Sequence, residues 1–246
     1  MSDGNHNAPR LFVDARLAAG VRVDCSREQA NYLLNVLRLK TGDQVLVFNG
    51  ADGEWLARLE EAGKRQCTLT CADRTRDQIA GPDVHYLFAP LKHARLDYMV
   101  QKATEMGAAR LQPVLTRRTI AARVNLERMR ANAIEAAEQC GVLRVPEVAE
   151  PAKLETLIAN WQADRALVFC DESAEVASPI AALSALKPGP LAVLIGPEGG
   201  FDPAERARLI EAPFALAISL GPRIMRADTA AVAALALVNA TLGDWR

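Results

Sequence analysis

Five short apolar runs, at residues 84–89, 111–115, 166–170, 191–195 and 215–220, constrain this chain most. Segments of helical periodicity near 94–107, 125–140, 152–162 and 203–211 separate them, and another follows near 229–241. Unbroken apolar strands alternating with helices mark a parallel sheet covered on both faces, which predicts an α/β domain. The chain before residue 75 reads differently. Residues 11–13, 44–48, 54–59 and 67–71 are short strand candidates, with Gly42-Asp43, Asn49-Gly50 and Asp52-Gly53 as turn signals. One helix interrupts them. Ser26 and Gln29 form a capping-box pattern, and Leu33, Leu34, Val36 and Leu37 supply its buried side. The reading is a small β-barrel over 1–75, a polar linker over 74–82 and an α/β domain over 80–246.

The 246 residues are enough for both parts. No run approaches the roughly 20 apolar residues that span a bilayer, so no membrane partner is expected. Residues 1–9 are polar and lack the apolar core of a signal peptide, which makes the cytoplasm the expected location. The five cysteines are odd in number and irregularly spaced, and are read as reduced thiols. Cys67 and Cys71 have no second ligand pair nearby, so no metal is expected. The net charge of −1 gives no argument for nucleic acid, but its distribution is uneven. Residues 91–145 hold 10 basic and 5 acidic side chains, whereas 145–215 hold 5 basic and 11 acidic. A basic segment is compatible with phosphate binding, and equally with a solvated helix face.

Two loops stand out. The run 191–195 ends in Gly196-Pro197-Glu198-Gly199-Gly200, and a helix then starts with Asp202 as N-cap, Pro203 at its first position and Glu205 three after the cap. Neither a phosphate-binding P-loop nor the dinucleotide fingerprint has this spacing. The glycines either build a tight turn or admit a ligand against the backbone. The run 215–220 ends in Gly221-Pro222, followed by Arg223-Ile224-Met225-Arg226 and a nearly uncharged helix whose burial suggests a second subunit. Ligands of open α/β sheets bind beyond the carboxyl ends of the strands. A third feature, 135–141, places Glu135, Glu138 and Gln139 on one face of a helix end.

Together these motifs resemble the SPOUT class of methyltransferases, and within it the family that methylates N3 of a uridine in 16S ribosomal RNA. The resemblance rests on residues 32–43, 101–107 with Pro113 and 117–119, 135–141 with Val145-Pro146, 195–201, and 220–230. The chain departs from the family in having Met225 for Leu and Asp228 for Glu, and Val142 and Leu143 before Arg144.

The resemblance implies a PUA-like or OB-like β-barrel followed by a SPOUT domain whose parallel sheet carries a trefoil knot. It implies S-adenosylmethionine as cofactor, a homodimer, and the small ribosomal subunit as the setting of the RNA. The cofactor-binding candidates are Leu194, Ile195, Gly196, Pro197, Gly199 and Gly200 in the first loop. Leu220, Gly221, Ile224, Met225, Thr229 and Ala230 are those of the second. Arg226 is the candidate to stabilise the uracil anion, against a structural ion pair as the alternative. Glu198 is a candidate base, cofactor ligand or loop cap, and Asp228 a helix cap. The RNA-binding candidates are Arg10, Arg38 and Lys40 in the barrel, and Lys92, Arg117, Arg118 and Arg123 beyond it. His93 is read as facing RNA or merely solvent. The rival functions are another SPOUT enzyme acting on ribose or transfer RNA, and a non-catalytic RNA-binding assembly factor. Cofactor binding separates the last from the others.

Overall fold

The computed structural model describes residues 8–62, 66–121, 123–174 and 178–245, so the reading of residues 1–7 lies outside the described part. The side chain of His93 does as well. The chain forms two compact units. The first takes the chain to Ala80 together with Ala137–Arg144, and the second holds Gly81–Ala136 and Val145–Arg246.

In the first unit, β1 (Arg10–Phe12), β3 (Gln44–Phe48), β4 (Glu54–Ala62), β5 (Cys67–Arg76) and β2 (Arg22–Asp24) lie side by side in that order. The pair β1–β3 is parallel and the others antiparallel, so the expected barrel takes the form of a curled five-stranded sheet. Its inner face buries Val45, Val47, Leu59 and Leu69 against Leu33. Leu33 comes from the helix α1 (Arg27–Asn31), which continues as a π-helical turn, Tyr32–Val36. Ser26 and Gln29 close the capping box, with the Gln29 N–H donating to Ser26 Oγ at 3.2 Å and the Ser26 N–H to Gln29 Oε1 at 2.8 Å. Residues 74–76, read from sequence as linker, are the end of β5, where Arg76 pairs with Glu54. Their polar side chains hid a strand whose ladder needs only backbone groups.

The second unit is a parallel sheet in the order β12-β10-β11-β6-β7-β8, with β9 added beside β7. Its strands are β6 (Val84–Phe88), β7 (Arg110–Leu115), β8 (Glu147–Val148), β9 (Ala152–Lys153), β10 (Ala166–Cys170), β11 (Leu191–Ile195) and β12 (Ala215–Ile218). The helices are α2 (His93–Glu105), α3 (Leu126–Cys140, whose residues from Ala137 belong to the first unit), α4 (Leu154–Ala159), α5 (Pro179–Ser184), α6 (Pro203–Glu211) and α7 (Ala227–Thr241). All five expected strands and all five expected helices are present; α5 and the two-residue strands β8 and β9 are additional. Successive residues of β11 serve opposite faces. Val193 and Ile195 pack with Tyr86, Met99 and Leu235, while Ala192 and Leu194 pack with Leu167, Phe169 and Leu209. The apolar α7 lies against α2, α5 and β11, so its burial is met within the unit and is no argument for a second subunit. Among the described residues no helix is long and apolar enough to cross a membrane.

Candidate active site

The sheet order sets β12, β10 and β11 next to one another with their carboxyl ends aligned: Phe169 pairs with Leu194, and Cys170 with Ile218. Three loops therefore meet at one edge, and between them lies a cavity of about 350 Å³. That is the size range of small-molecule and cofactor sites.

The loop after β11 supplies Ile195 through Phe201 to the wall. A turn closes it, with the Gly200 N–H donating to the Pro197 carbonyl at 2.9 Å. Gly200 sits at φ +69, a conformation that favours glycine. A Cβ at Gly196 would lie 2.9 Å from the Phe201 ring, whereas one at Gly199 would meet only Arg118 Cδ at 3.9 Å. The crowded glycine is thus Gly196. Asp202 caps α6, accepting from the Ala204 N–H at 3.0 Å, and Glu205 returns to the Asp202 N–H at 3.2 Å. The second oxygen of Glu205 accepts from the Arg117 N–H at 2.8 Å.

The loop after β12 supplies Leu220, Gly221, Ile224, Met225 and Arg226, and Ala230 of α7 completes that wall. Arg226 occupies the N-cap of α7 and is exposed. Neither Arg226 nor the neighbouring Arg223 has an ion-pair partner among the described residues. Both line the cavity, and Arg223, read from sequence only as part of the 220–230 run, was not singled out as a candidate.

The third loop, after β10, was not anticipated. Cys170, Asp171, Glu172 and Ser173 line the cavity, and their polar, glycine-free run gave no ligand signal. Asp171 is buried and ion-paired to Arg206 at 2.8 Å. Burial pushes the Cys170 thiol up to about 12, which favours its protonated form.

Ten of the twelve cofactor candidates line this cavity, as do Glu198 and Arg226. Leu194 and Thr229 do not. Leu194 is fully buried on the α4–α6 side of the sheet, and Thr229 is exposed on the first turn of α7. The RNA candidates divide. Arg38 and Lys40 are exposed in the first unit, and Lys92 and Arg123 in the second. Arg118 lines the cavity and donates to the Gly199 carbonyl at 2.8 Å. Arg117 is ion-paired to Asp202 at 3.0 Å and Glu155 at 3.3 Å.

Arg10 is taken up by the first unit. It is ion-paired to the buried Glu54 at 2.8 Å, donates to the carbonyls of Ala137, Glu138 and Val142, and lies 4.4 Å over the Phe48 ring. Four of its five N–H donors are engaged in this way, so it pins the end of α3. Glu138, a helix-end residue by sequence, accepts from the Phe12 N–H at 2.8 Å.

Sequence reasoning also missed Arg95 on the first turn of α2. Its Nε and Nη2 donate to the two carboxylate oxygens of Asp228 at 3.0 and 2.9 Å, and its Nη1 to Glu198. The guanidinium holds the Asp228 carboxyl below its usual range. Asp228 also accepts from the Thr229 N–H at 3.0 Å.

An RNA methyltransferase domain is matched over residues 80–239, and an RNA methyltransferase PUA domain over residues 26–70. The ribosomal RNA small subunit methyltransferase E of Rickettsia conorii is 29% identical over 232 residues, 94% of each chain. That of Bacillus subtilis is 30% identical over 224 residues, 86% of this chain and 87% of its own. The crystal structure of a ribosomal RNA small subunit methyltransferase E from Neisseria gonorrhoeae, bound to S-adenosylmethionine, superposes with a TM-score of 0.88 at 26% identity. It covers 98% of this chain and all of that one. A putative methyltransferase from Legionella pneumophila, in complex with the same cofactor, gives a TM-score of 0.84 at 26% identity over 97% of this chain and 99% of that one. The curled N-terminal sheet and the parallel C-terminal sheet match the fold of these structures. The chain belongs to the RNA methyltransferase family of the ribosomal RNA small subunit methyltransferase E type.

Proposed function

We propose that the protein transfers a methyl group from S-adenosylmethionine to N3 of a uridine in 16S ribosomal RNA. The observation that carries this reading is the cavity at the ends of three neighbouring parallel strands, walled by two glycine-bearing loops of an RNA methyltransferase domain. Its volume and its main-chain and apolar lining fit an adenosine-containing cofactor. Residues 195–200 and 220–225 hold it. The cofactor supplies a methyl group on a sulfonium, and the protein's part is position and charge.

Uracil N3–H is a weak acid, and its anion spreads charge onto O2 and O4. Arg226 and Arg223, the rim cations without a partner among the described residues, stabilise that charge. Glu198 is already engaged by Arg95, which favours a loop-shaping role over that of base. Arg38 and Lys40, together with Lys92 and Arg123, provide phosphate contacts that position the RNA without reading it. The same proposal assigns RNA binding to the first unit and methyl transfer to the second. A homodimer, the small subunit as substrate and a cytoplasmic location belong to the same proposal.

The test is methyl transfer from labelled S-adenosylmethionine to small ribosomal subunits lacking the modification, with mass spectrometry of the product. A single 3-methyluridine is the expected result. A methylated ribose or another base would sink the uridine-N3 assignment and leave the cofactor reading standing.

A further inference from the structure

We propose that Arg95 is a positioning residue that locks the two cofactor loops to each other from outside the cavity. The inference rests on the proposed cofactor reading and deepens it. Arg95 lies on α2, which contributes no lining residue, yet its three donor nitrogens end on Glu198 of one loop and on Asp228 just past the other. The segments joined are more than 100 residues apart from α2 in sequence.

Each loop also has an exposed tip: Ile224 is 90% exposed, and the Glu198 side chain is half-exposed. The Arg95 and Asp228 side chains are 31% and 19% exposed, partly shielded from solvent. Charge-assisted bonds are strongest in a forked geometry, and only a guanidinium fits both oxygens of Asp228 while reaching a second carboxylate. Asp228 is short, so the long arm of the pair comes from Arg95.

The experiment is amide hydrogen exchange on the free full-length protein, with calorimetric titration of S-adenosylhomocysteine in parallel. The variants are Arg95→Ala, Arg95→Lys, Asp228→Asn and the double variant Arg95→Ala with Asp228→Asn. Removing the fork raises exchange at both 196–201 and 227–230 by about tenfold or more, the worth of a charge-assisted hydrogen bond. Exchange in β6 stays unchanged, which shows that the unit remains folded. Arg95→Lys keeps the charge and does not restore protection. Affinity for S-adenosylhomocysteine falls by about the same factor, and the double variant loses no more than Arg95→Ala alone.

Unchanged exchange in either segment, rescue by lysine, or losses that multiply in the double variant would each overturn the proposal. Glu198→Gln, at a half-exposed position, serves if Arg95→Ala fails to fold, and it must accelerate exchange at 196–201. A wild type that binds no S-adenosylhomocysteine defeats the cofactor reading instead, while the exchange data still decide the clamp.

Discussion

Tyr86 shows how much a single atom can matter. Its ring is fully buried and stacked on Phe88 with centroids 5.0 Å apart, yet its hydroxyl has no hydrogen-bond partner among the described residues. A buried donor left unpaired costs about 1–3 kcal/mol. Tyr86→Phe keeps the stacking and removes the orphan, so it raises stability by about 1 kcal/mol; denaturant melts that show a loss would mean the hydroxyl has a partner. Arg226 belongs to the other class, a side chain whose donors meet no acceptor among the described residues. In the role proposed for it, Arg226→Ala lowers kcat more than it weakens cofactor binding, because the charge such a cation meets arises only in the transition state. Steady-state kinetics with calorimetry decides this; the reverse pattern makes Arg226 a binding residue.

Among elements, the end of α3 is the instructive case. Its residues from Ala137 belong to the first unit, held by Arg10 and by Arg76, which donates to the Gly141 carbonyl at 2.8 Å. Arg10→Ala leaves the buried Glu54, among the described residues, with the Thr75 hydroxyl at 3.0 Å and the more distant Arg76 at 3.7 Å. Breaking a buried pair from one side costs about 3 kcal/mol. The expected outcome is a large drop in melting temperature with unchanged RNA affinity in the folded protein. Loss of RNA affinity without loss of stability would restore Arg10 to the RNA-binding set. The turn after α1 is strained for a different reason. Arg38 sits at φ +58, where the Leu39 N–H returns to the Leu33 carbonyl at 2.9 Å and glycine is the usual residue. A long cationic side chain retained there is consistent with an outward-facing task.

For the whole molecule, two responses to solution conditions follow. Arg38→Ala weakens binding to ribosomal RNA and reduces the slope of log K against log salt by about one phosphate's worth. Filter-binding across a salt series tests this, and an unchanged slope leaves Arg38 with a conformational role. The acid response comes from Asp228, whose folded pKa is depressed by Arg95. A depressed carboxyl contributes stability that is fully present above its unfolded value, about 3.9, and is lost as pH falls through the folded value. Acid melts of wild type and Asp228→Asn therefore begin to draw together as pH falls below about 3.9 and meet only below the depressed folded value, and curves that stay parallel throughout would show that the pair contributes nothing.

The sequence by itself determined the strand–helix alternation of the second unit, the two glycine-bearing loops and the capping boxes of Ser26 and Asp202. Each rests on local periodicity or on groups three residues apart, so a linear reading suffices. Only the tertiary structure decided which loops share a cavity, because strand order β12-β10-β11 follows from packing rather than from succession in the chain. That order brought in the loop after β10, left Leu194 on the far face, and carried Arg95 to Asp228 and Glu198. It likewise turned Arg10 from a candidate phosphate ligand into a structural pin. An arginine on paper is a charge with a long stem; whether its donors meet water, a carboxylate or a helix end depends on neighbours more than 40 positions away.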